Sequence, residues 1–178
     1  PDPELSHASN FLYMLTGNKP DKEMERVFDV CLILHADHTF NASTFAAREV
    51  ASTRAHMYSA VSAAVGALSG ELHGGANYEV MKMLLDIKDE NNATNWVKSR
   101  IEKGDRIMGM GHAVYKTVDP RSMVLKGLSK KLSEKTGLPW YNITKKVEET
   151  TSEIMKNRKE RDIFPNVDLY SASVYYML

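Results

Sequence analysis

The chain has 178 residues, of which 43% are hydrophobic and 26% are charged, a composition typical of a globular protein with a hydrophobic core. Lys and Arg together number 23, as do Asp and Glu, so the balanced charge excludes a general attraction to nucleic acid or membrane surfaces. The single cysteine, Cys31, excludes an internal disulfide and a multi-cysteine metal site, and its apolar helical stripe predicts a core position. We expect a cytoplasmic protein without a signal peptide or a bilayer-spanning segment.

Both ends of the sequence have the character of interior segments. The chain starts with PDPE, without an initiator methionine, and stops at YYML, an apolar stretch without a helix-ending residue. We therefore expect the chain to be a fragment of a longer protein.

The spacing of apolar residues predicts an all-α chain. The predicted helices, in chain order, cover residues 21–35, from 43 onward, 56–68, from 75 onward, 96–102, 120–137, 139–159 and from 170 onward. Asp119 followed by Pro120 is a strong start signal, an N-cap residue before proline at the first helical position. Residues 91–94 predict a turn, residues 109–112 predict a loop, and no run alternates as a strand would.

The helix predicted over residues 56–68 is rich in small side chains, among them Ala60, Ala63, Ala64 and Gly66. Small side chains let helix backbones approach closely, so we expect this helix to pack tightly and to be buried against others. If those other helices lie outside this chain, we expect it to be left partly bare, which favours self-association.

His35 and His38 lie three residues apart at the end of a predicted helix, on one face. Three interpretations stay open: structural histidines at a helix terminus, an anion site favoured by the helix dipole, and a metal site. Asp37, which lies between them, would point elsewhere, and no third ligand has a supporting spacing. We therefore expect no metal, although a metal-dependent hydrolase built on these three residues remains an alternative.

Two further histidines lie beside glycines. His73 precedes Gly74 and Gly75, and His112 follows Gly111, so in both places the backbone can come close to a ligand. Each segment fits a histidine in a glycine-rich turn as well as a catalytic group. The glycines before His112 lack the strand and the lysine of a P-loop, although their N–H groups are suited to a phosphate or an adenine edge.

Three charged residues complete the candidate site. Arg121 lies in the first turn of a predicted helix, where the helix dipole disfavours a cation, and this placement indicates an anion ligand. Lys116 on its own fits a solvated lysine, and Asp168 on its own fits an N-cap. Imidazoles, cations and one carboxylate together predict proton transfer beside an anionic substrate.

Four segments of this chain, taken in order, resemble the signature segments of citrate synthases. They are LHADHTFNASTF, GELHGGAN, IMGMGHAVYKTVDPRS and PNVDLYSASVYY, and the similarity extends over essentially the whole chain. The resemblance implies an all-α, two-domain fold and a homodimer formed through large-domain helices. It also implies large-domain helices over residues 1–77, a small CoA-binding domain over 78–165, and a return to the large domain over 166–178.

The implied reaction is the condensation of acetyl-CoA with oxaloacetate, followed by hydrolysis of citryl-CoA to citrate and CoA in the tricarboxylic acid cycle. By motif, the resemblance implies that His73 stabilises the enol, that Asp168 removes the methyl proton, and that His112 acts on the oxaloacetate carbonyl. Ser43 matches the hydroxyl that orients the His73 ring. Both organic molecules are substrates, so no cofactor is expected.

The remaining implied roles lie in substrate binding. The implied oxaloacetate ligands are His35, His38 and Arg121. The implied CoA-binding residues are Lys116, Gly109 and Gly111. Neither nucleic acid nor membrane is an expected partner.

The sequence departs from the family pattern at Ala113, where many prokaryotic members carry Arg, and at Glu71, where Pro is usual. Family members are about twice this length and continue to arginines that hold oxaloacetate carboxylates. We therefore expect little condensation activity from this chain alone. Two alternatives stay open: a 2-methylcitrate synthase that uses propionyl-CoA, and a catalytically silent helical fragment.

Overall fold

The computed structural model describes residues 1–37, 40–70, 73–112, 117–158 and 162–178. Over those ranges the chain forms nine α-helices and no strand, which confirms the predicted all-α class. The helices are α1 (His7–Thr16), α2 (Lys22–Ala36), α3 (Ala42–Ser52), α4 (Met57–Leu68), α5 (Gly75–Ile87), α6 (Glu90–Glu102), α7 (Pro120–Thr136), α8 (Trp140–Asn157) and α9 (Val167–Met177). In the part of the chain that the structure describes, no helix is long and apolar enough to cross a membrane.

Short polar side chains start the helices that matter for the site. Asp21 accepts hydrogen bonds from two N–H groups of α2, and Asn166 accepts one at the start of α9. Asp119 caps α7, where Pro120 takes the first helical position as predicted. Gly137 ends α7 in the left-handed conformation, with a φ of 72°.

The hydrophobic core lies among α5, α6, α7, α8 and α9, here called the bundle, with α2 packed at its side. Its largest fully buried side chains include Leu84, Leu125, Leu132, Ile143, Leu169 and Tyr170. Val27 and Cys31 of α2 belong to the same core, which confirms the predicted position of Cys31. This one core includes residues from all three predicted domain ranges, 1–77, 78–165 and 166–178, whose boundaries stay a prediction.

Helix α1 packs on α2 in a smaller apolar cluster. Ala8 and Leu12 are buried there with Phe28, and the Phe11 ring stacks on the Phe28 ring at a centroid distance of 4.8 Å. The sequence pattern predicted no separate helix before residue 21. Ser6 begins α1 by accepting a hydrogen bond from the Ser9 N–H.

Helices α3 and α4 form a hairpin whose packing is chiefly between its own two helices. Close packing of the small-residue helix is thereby confirmed, because α4 lies against α3. The predicted burial of α4 is not confirmed. Of its residues only Ala60 is buried, and Val61, Val65 and Leu68 are exposed. Within this chain the helix is left largely bare, the second of the two expected outcomes.

The turn predicted over residues 91–94 is wrong. Helix α6 begins at Glu90 and runs straight through those residues. The Asp89 side chain accepts from the Asn91 N–H, and the Asn92 side chain donates to the Ile87 carbonyl, so both asparagines serve the helix start. Polar residues that favour turns also favour helix N-termini, which misled the prediction.

Candidate active site

The first part of the site lies where the hairpin begins. Asn41 caps α3, its Oδ1 accepting from the Thr44 N–H at 2.9 Å, and the Ser43 hydroxyl donates to the same oxygen at 2.7 Å. His73 Nε2 lies 3.0 Å from Ser43 Oγ, so the predicted pairing of these two residues is present. Because the Ser43 proton is directed at Asn41, Nε2 of His73 carries the proton of this bond.

This arrangement leaves Nδ1 of His73 for a ligand. Nδ1 can donate when the imidazole is protonated, or when the Ser43 hydroxyl turns from Asn41 and donates to Nε2 instead. His73 therefore qualifies as a donor toward a developing negative charge, with Ser43 controlling which nitrogen holds the proton.

The glycine loop before His112 is fastened to the segment that leads into α9. The Gly111 N–H donates to the Phe164 carbonyl at 2.8 Å, and the Asn166 N–H donates to the Gly109 carbonyl at 3.0 Å. The Asn166 side chain adds a bond to the Gly111 carbonyl at 2.9 Å. These bonds bring the loop that carries His112 against the start of the helix that carries Asp168.

Gly109 is required by this contact. Its φ is +79°, and a Cβ on it would lie 2.8 Å from the Leu169 Cα, a backbone atom that cannot move aside. Gly111 has a φ of +87° and open space around its α-carbon. The bonds give both glycines a structural role, and their implied part in CoA binding stays a prediction.

Asp168 lies in the first turn of α9, half-buried. The alternative reading, that Asp168 caps this helix, is wrong, because Asn166 is the N-cap and accepts from the Asp168 N–H at 2.9 Å. Burial raises the pKa of the Asp168 carboxyl, and the nearby charges of His35 and Arg121 oppose that rise. A carboxylate whose charged form is disfavoured by burial, beside cations, is suited to take up a proton.

Arg121 is buried and paired with Asp119, which is fully buried. Its Nε donates to Asp119 Oδ1 at 3.1 Å and its Nη2 donates to Oδ2 at 2.8 Å, a bidentate pair. Burial alone would raise the pKa of Asp119, but the Arg121 hydrogen bonds and charge outweigh it, and the pKa is lowered. The sequence analysis did not identify Asp119 as a partner of Arg121, although its position at the helix cap, two residues before Arg121, is a signal for that pairing.

His35 ends α2, where the dipole favours a cation. Its Nδ1 lies 2.8 Å from the Cys31 carbonyl oxygen and 3.1 Å from the hydroxyl of Tyr175 on α9. The sequence analysis did not single out Tyr175, whose one signal is its position seven residues after Asp168, on the same face of a helix.

The structure therefore brings together Asp168, His35, Arg121 and His112, whose charges act on the Asp168 carboxyl, and it separately joins His73 to Ser43. His38 and Lys116 lie outside the described residues. Among the residues that are described, no group of three or more His, Cys, Asp or Glu side chains is arranged to hold a metal ion. The alternative metal site of His35, Asp37 and His38 includes a residue outside the described ranges.

An all-helical chain with a partly buried carboxylate near imidazoles and a buried arginine is the class of structure suited to acid–base chemistry beside an anion. The family model described as "Citrate synthase, C-terminal domain" matches residues 1–178. The chain is 47% identical over 180 residues to the citrate synthase of Haloferax volcanii, covering 100% of this chain and 46% of that protein. It is 42% identical over 184 residues to 2-methylcitrate synthase 1 of Corynebacterium glutamicum, covering 100% and 47%.

Among solved structures, the chain is similar to the citrate synthase of Thermoplasma acidophilum in a ternary complex with carboxymethyl coenzyme A and oxaloacetate. The TM-score is 0.86 at 38% identity, with 99% of this chain and 46% of that chain covered. The chain belongs to the citrate synthase family, as the signature segments predicted. It spans about half the length of the curated relatives that it matches.

Proposed function

We propose that the protein containing this chain condenses acetyl-CoA with oxaloacetate and hydrolyses the resulting citryl-CoA. The observation that carries the proposal is Asp168, a half-buried carboxylate whose pKa is raised by burial, near the His35 imidazole and the Arg121 guanidinium. The related enzyme of Thermoplasma acidophilum, solved with carboxymethyl coenzyme A and oxaloacetate, supports the same pair of substrates.

In the first step, Asp168 removes a proton from the methyl group of acetyl-CoA. A thioester α-proton is only weakly acidic, so the charge that develops on the carbonyl oxygen has to be stabilised at the same time. His73 does this by donating from Nδ1, with its ring held through Ser43. Each of these two contributions is typically worth about 10²–10⁴-fold in rate.

In the second step, the nucleophilic carbon of the enol attacks the ketone carbon of oxaloacetate. His112 gives a proton to the ketone oxygen as the carbon–carbon bond forms. His35, His38 and Arg121 hold the oxaloacetate carboxylates, and the buried Asp119 fixes the Arg121 guanidinium by taking two of its donors.

In the third step, water hydrolyses the citryl-CoA thioester to give citrate and free CoA. Lys116, Gly109 and Gly111 contribute to CoA binding. The reaction needs no metal or cofactor, and it places the enzyme in the tricarboxylic acid cycle of the cytoplasm. Neither nucleic acid nor membrane is a partner.

The same residues fit a second acyl-CoA. The 42% identity to a 2-methylcitrate synthase favours propionyl-CoA as an alternative substrate. The two substrates differ by one methylene, a difference worth only about 1–3 kcal/mol in a hydrophobic pocket. Comparison of kcat/KM for acetyl-CoA and propionyl-CoA in the full-length protein decides between them.

The active form is a homodimer joined through the hairpin. Helix α4 presents Tyr58, Val61, Val65 and Leu68 to solvent in this chain, with α3 adding Phe45. An exposed apolar face of that extent on a helix of small residues is suited to close packing against a second copy.

The test of the proposed function is Asp168→Asn in the full-length protein. We expect loss of proton exchange between solvent deuterium and a non-condensing acetyl-CoA analogue, with oxaloacetate binding by calorimetry nearly unchanged. Asp29→Asn, which alters an exposed carboxylate paired with Arg26, is the matched control. Exchange at the wild-type rate in Asp168→Asn would exclude Asp168 as the base, and absence of citrate formation by the wild type would refute the function and favour a silent helical protein.

A further inference from the structure

Tyr175 lies on α9 two turns after Asp168, close to the site yet without a role in the reaction described above. Its hydroxyl lies 3.1 Å from His35 Nδ1, and the two rings are tilted at a centroid distance of 5.8 Å. The contact joins α9, which carries the proposed base, to the last turn of α2, which carries an implied oxaloacetate ligand.

The position of the proton in this contact follows from its second partner. The Cys31 carbonyl oxygen lies 2.8 Å from the same Nδ1, and a carbonyl can only accept, so Nδ1 carries a hydrogen. That N–H is shared between the Cys31 carbonyl and the Tyr175 hydroxyl oxygen. The tyrosine hydroxyl therefore accepts in this contact, and its own proton is directed elsewhere.

The other ring nitrogen of His35 is Nε2, and the way Nδ1 is held determines what Nε2 can contact. Two oxygens hold Nδ1–H in place, which fixes the plane of the ring and keeps Nδ1 protonated in the neutral and the imidazolium forms alike. Among the described residues no hydrogen-bond partner of His35 Nε2 is seen. Nε2 is therefore the nitrogen that is left for a ligand.

We propose that Tyr175 is a positioning residue that holds the His35 ring so that Nε2, which carries a proton in the imidazolium form, donates to a substrate carboxylate. The proposal rests on the proposed function for the identity of that carboxylate, which belongs to oxaloacetate. The hydroxyl of Tyr175 does not touch the substrate in this scheme. It acts through His35, and its loss weakens oxaloacetate binding without changing the acid–base groups themselves.

The first test is Tyr175→Phe in the full-length protein, which keeps the ring and removes the hydroxyl. Loss of one hydrogen bond corresponds to an increase of about 2- to 12-fold in KM for oxaloacetate, with kcat changed by less than about 2-fold. Tyr176→Phe is the matched control, because the neighbouring Tyr176 ring packs on Trp140 at 5.3 Å and has no contact with His35 among the described residues. A KM in Tyr175→Phe no higher than that of the control would overturn the proposal.

The second test is a double-mutant cycle with His35→Ala. If Tyr175 acts through His35, then Tyr175→Phe has no further effect on KM in the His35→Ala background. An equal effect in both backgrounds would show that Tyr175 does not act through His35.

The third test reads the imidazole directly and does not depend on turnover. Nitrogen-15 NMR of His35 is expected to report a protonated Nδ1 in the wild type, with an Nδ1 signal that shifts in Tyr175→Phe but not in Tyr176→Phe. An unchanged His35 spectrum in Tyr175→Phe overturns the proposal even if the wild type proves inactive. A wild type without condensation activity but with the expected spectral change refutes the proposed function and leaves the positioning of His35 by Tyr175 intact.

Discussion

The hairpin of α3 and α4 and the bundle of α5 to α9 are both built from packed helices, but they differ in how far this chain covers their apolar faces. Each bundle helix buries an apolar face in one shared core, and Leu132 in α7 is 0% exposed. The two hairpin helices pack chiefly on each other, and Val61 in α4 is 53% exposed. The bundle is therefore held by contacts within this chain, whereas the hairpin leaves an apolar face uncovered.

The site divides along the same line. His73 depends on Ser43 at the start of the hairpin, whereas Asp168, Arg121 and His35 are fixed by contacts made in or against the bundle. The proposed reaction needs both groups. We therefore expect changes in the bundle to unfold the chain, and changes in the hairpin to alter association while leaving the fold intact.

The largest expected effect on stability lies at the buried ion pair of the bundle. Asp119→Ala leaves the Arg121 guanidinium buried without its partner, which typically costs about 3–5 kcal/mol. Urea unfolding at pH 7 measures the loss. Asp119→Asn removes the charge but keeps a residue that can cap α7. Its cost in unfolding free energy is therefore expected to be about 1 kcal/mol smaller than that of Asp119→Ala.

The pH dependence provides an independent check on this pair. The folded pKa of Asp119 is lowered, so its contribution is fully present above the unfolded pKa, about 3.9, and is lost as the pH falls through the folded value. The difference in stability between wild type and Asp119→Asn is expected to shrink below about pH 4. A difference that stays constant down to that range contradicts the charge pairing.

The second prediction compares the core of the bundle directly with the hairpin. Leu132→Ala removes a fully buried side chain and is expected to cost about 2–5 kcal/mol in the free energy of unfolding. Val61→Ala removes an exposed side chain and is expected to change it by less than about 0.5 kcal/mol. Equal costs by urea denaturation would show that the hairpin is as well covered as the bundle.

Helix positions were predictable from sequence because they depend on local signals. The cap of Asp119 before Pro120 and the glycine end of α7 were both correct. The turn over residues 91–94 was wrong because asparagine favours helix starts and turns alike. Burial of the hairpin was not predictable, because periodicity identifies an apolar face without identifying its partner.

The site was predictable in a similar, partial way. The chemistry-bearing residues stand in recognisable motifs, and the pairing of His73 with Ser43 is present. Tyr175 and Asp119 carry no motif of their own, and their contacts with His35 and Arg121 appear only once the chain is folded. Sequence reasoning named the candidate reacting groups and the Ser43 hydroxyl that holds His73, but it did not pair Asp119 with Arg121 or Tyr175 with His35.

The third prediction concerns association through the hairpin. Val65 is 58% exposed on α4, and Val65→Glu is expected to abolish self-association seen by light scattering, with a change in unfolding free energy within about 0.5 kcal/mol. Val124→Glu places the same charge on an exposed valine of α7 in the bundle and is the matched control. An oligomer that persists in Val65→Glu, or that is lost in Val124→Glu, would contradict association through the hairpin.

The smallest expected effect on stability lies at Asp168, whose partly buried charge destabilises the folded state. Its folded pKa is raised, chiefly by burial, so the folded state binds this proton more tightly than the unfolded state does. Stability therefore falls as the pH rises from the unfolded pKa through the raised folded value, and the cost is fully present at neutral pH.

Asp168→Asn removes that cost, so it is expected to raise the thermal midpoint slightly at pH 7 while abolishing proton abstraction. At a pH below the unfolded value of about 3.9 the wild-type carboxyl is neutral in both states, and the gain is expected to vanish. Asp119→Asn is expected to show the opposite sign at pH 7, because the pKa of that carboxyl is lowered in the folded state. The same substitution then changes folding stability in opposite directions at two carboxylates of one bundle. Asp119 is paired with a cation, whereas burial disfavours the charged form of Asp168. A lower midpoint for Asp168→Asn at pH 7 would show that its charge stabilises the fold, and it would remove the physical ground for assigning Asp168 as the base.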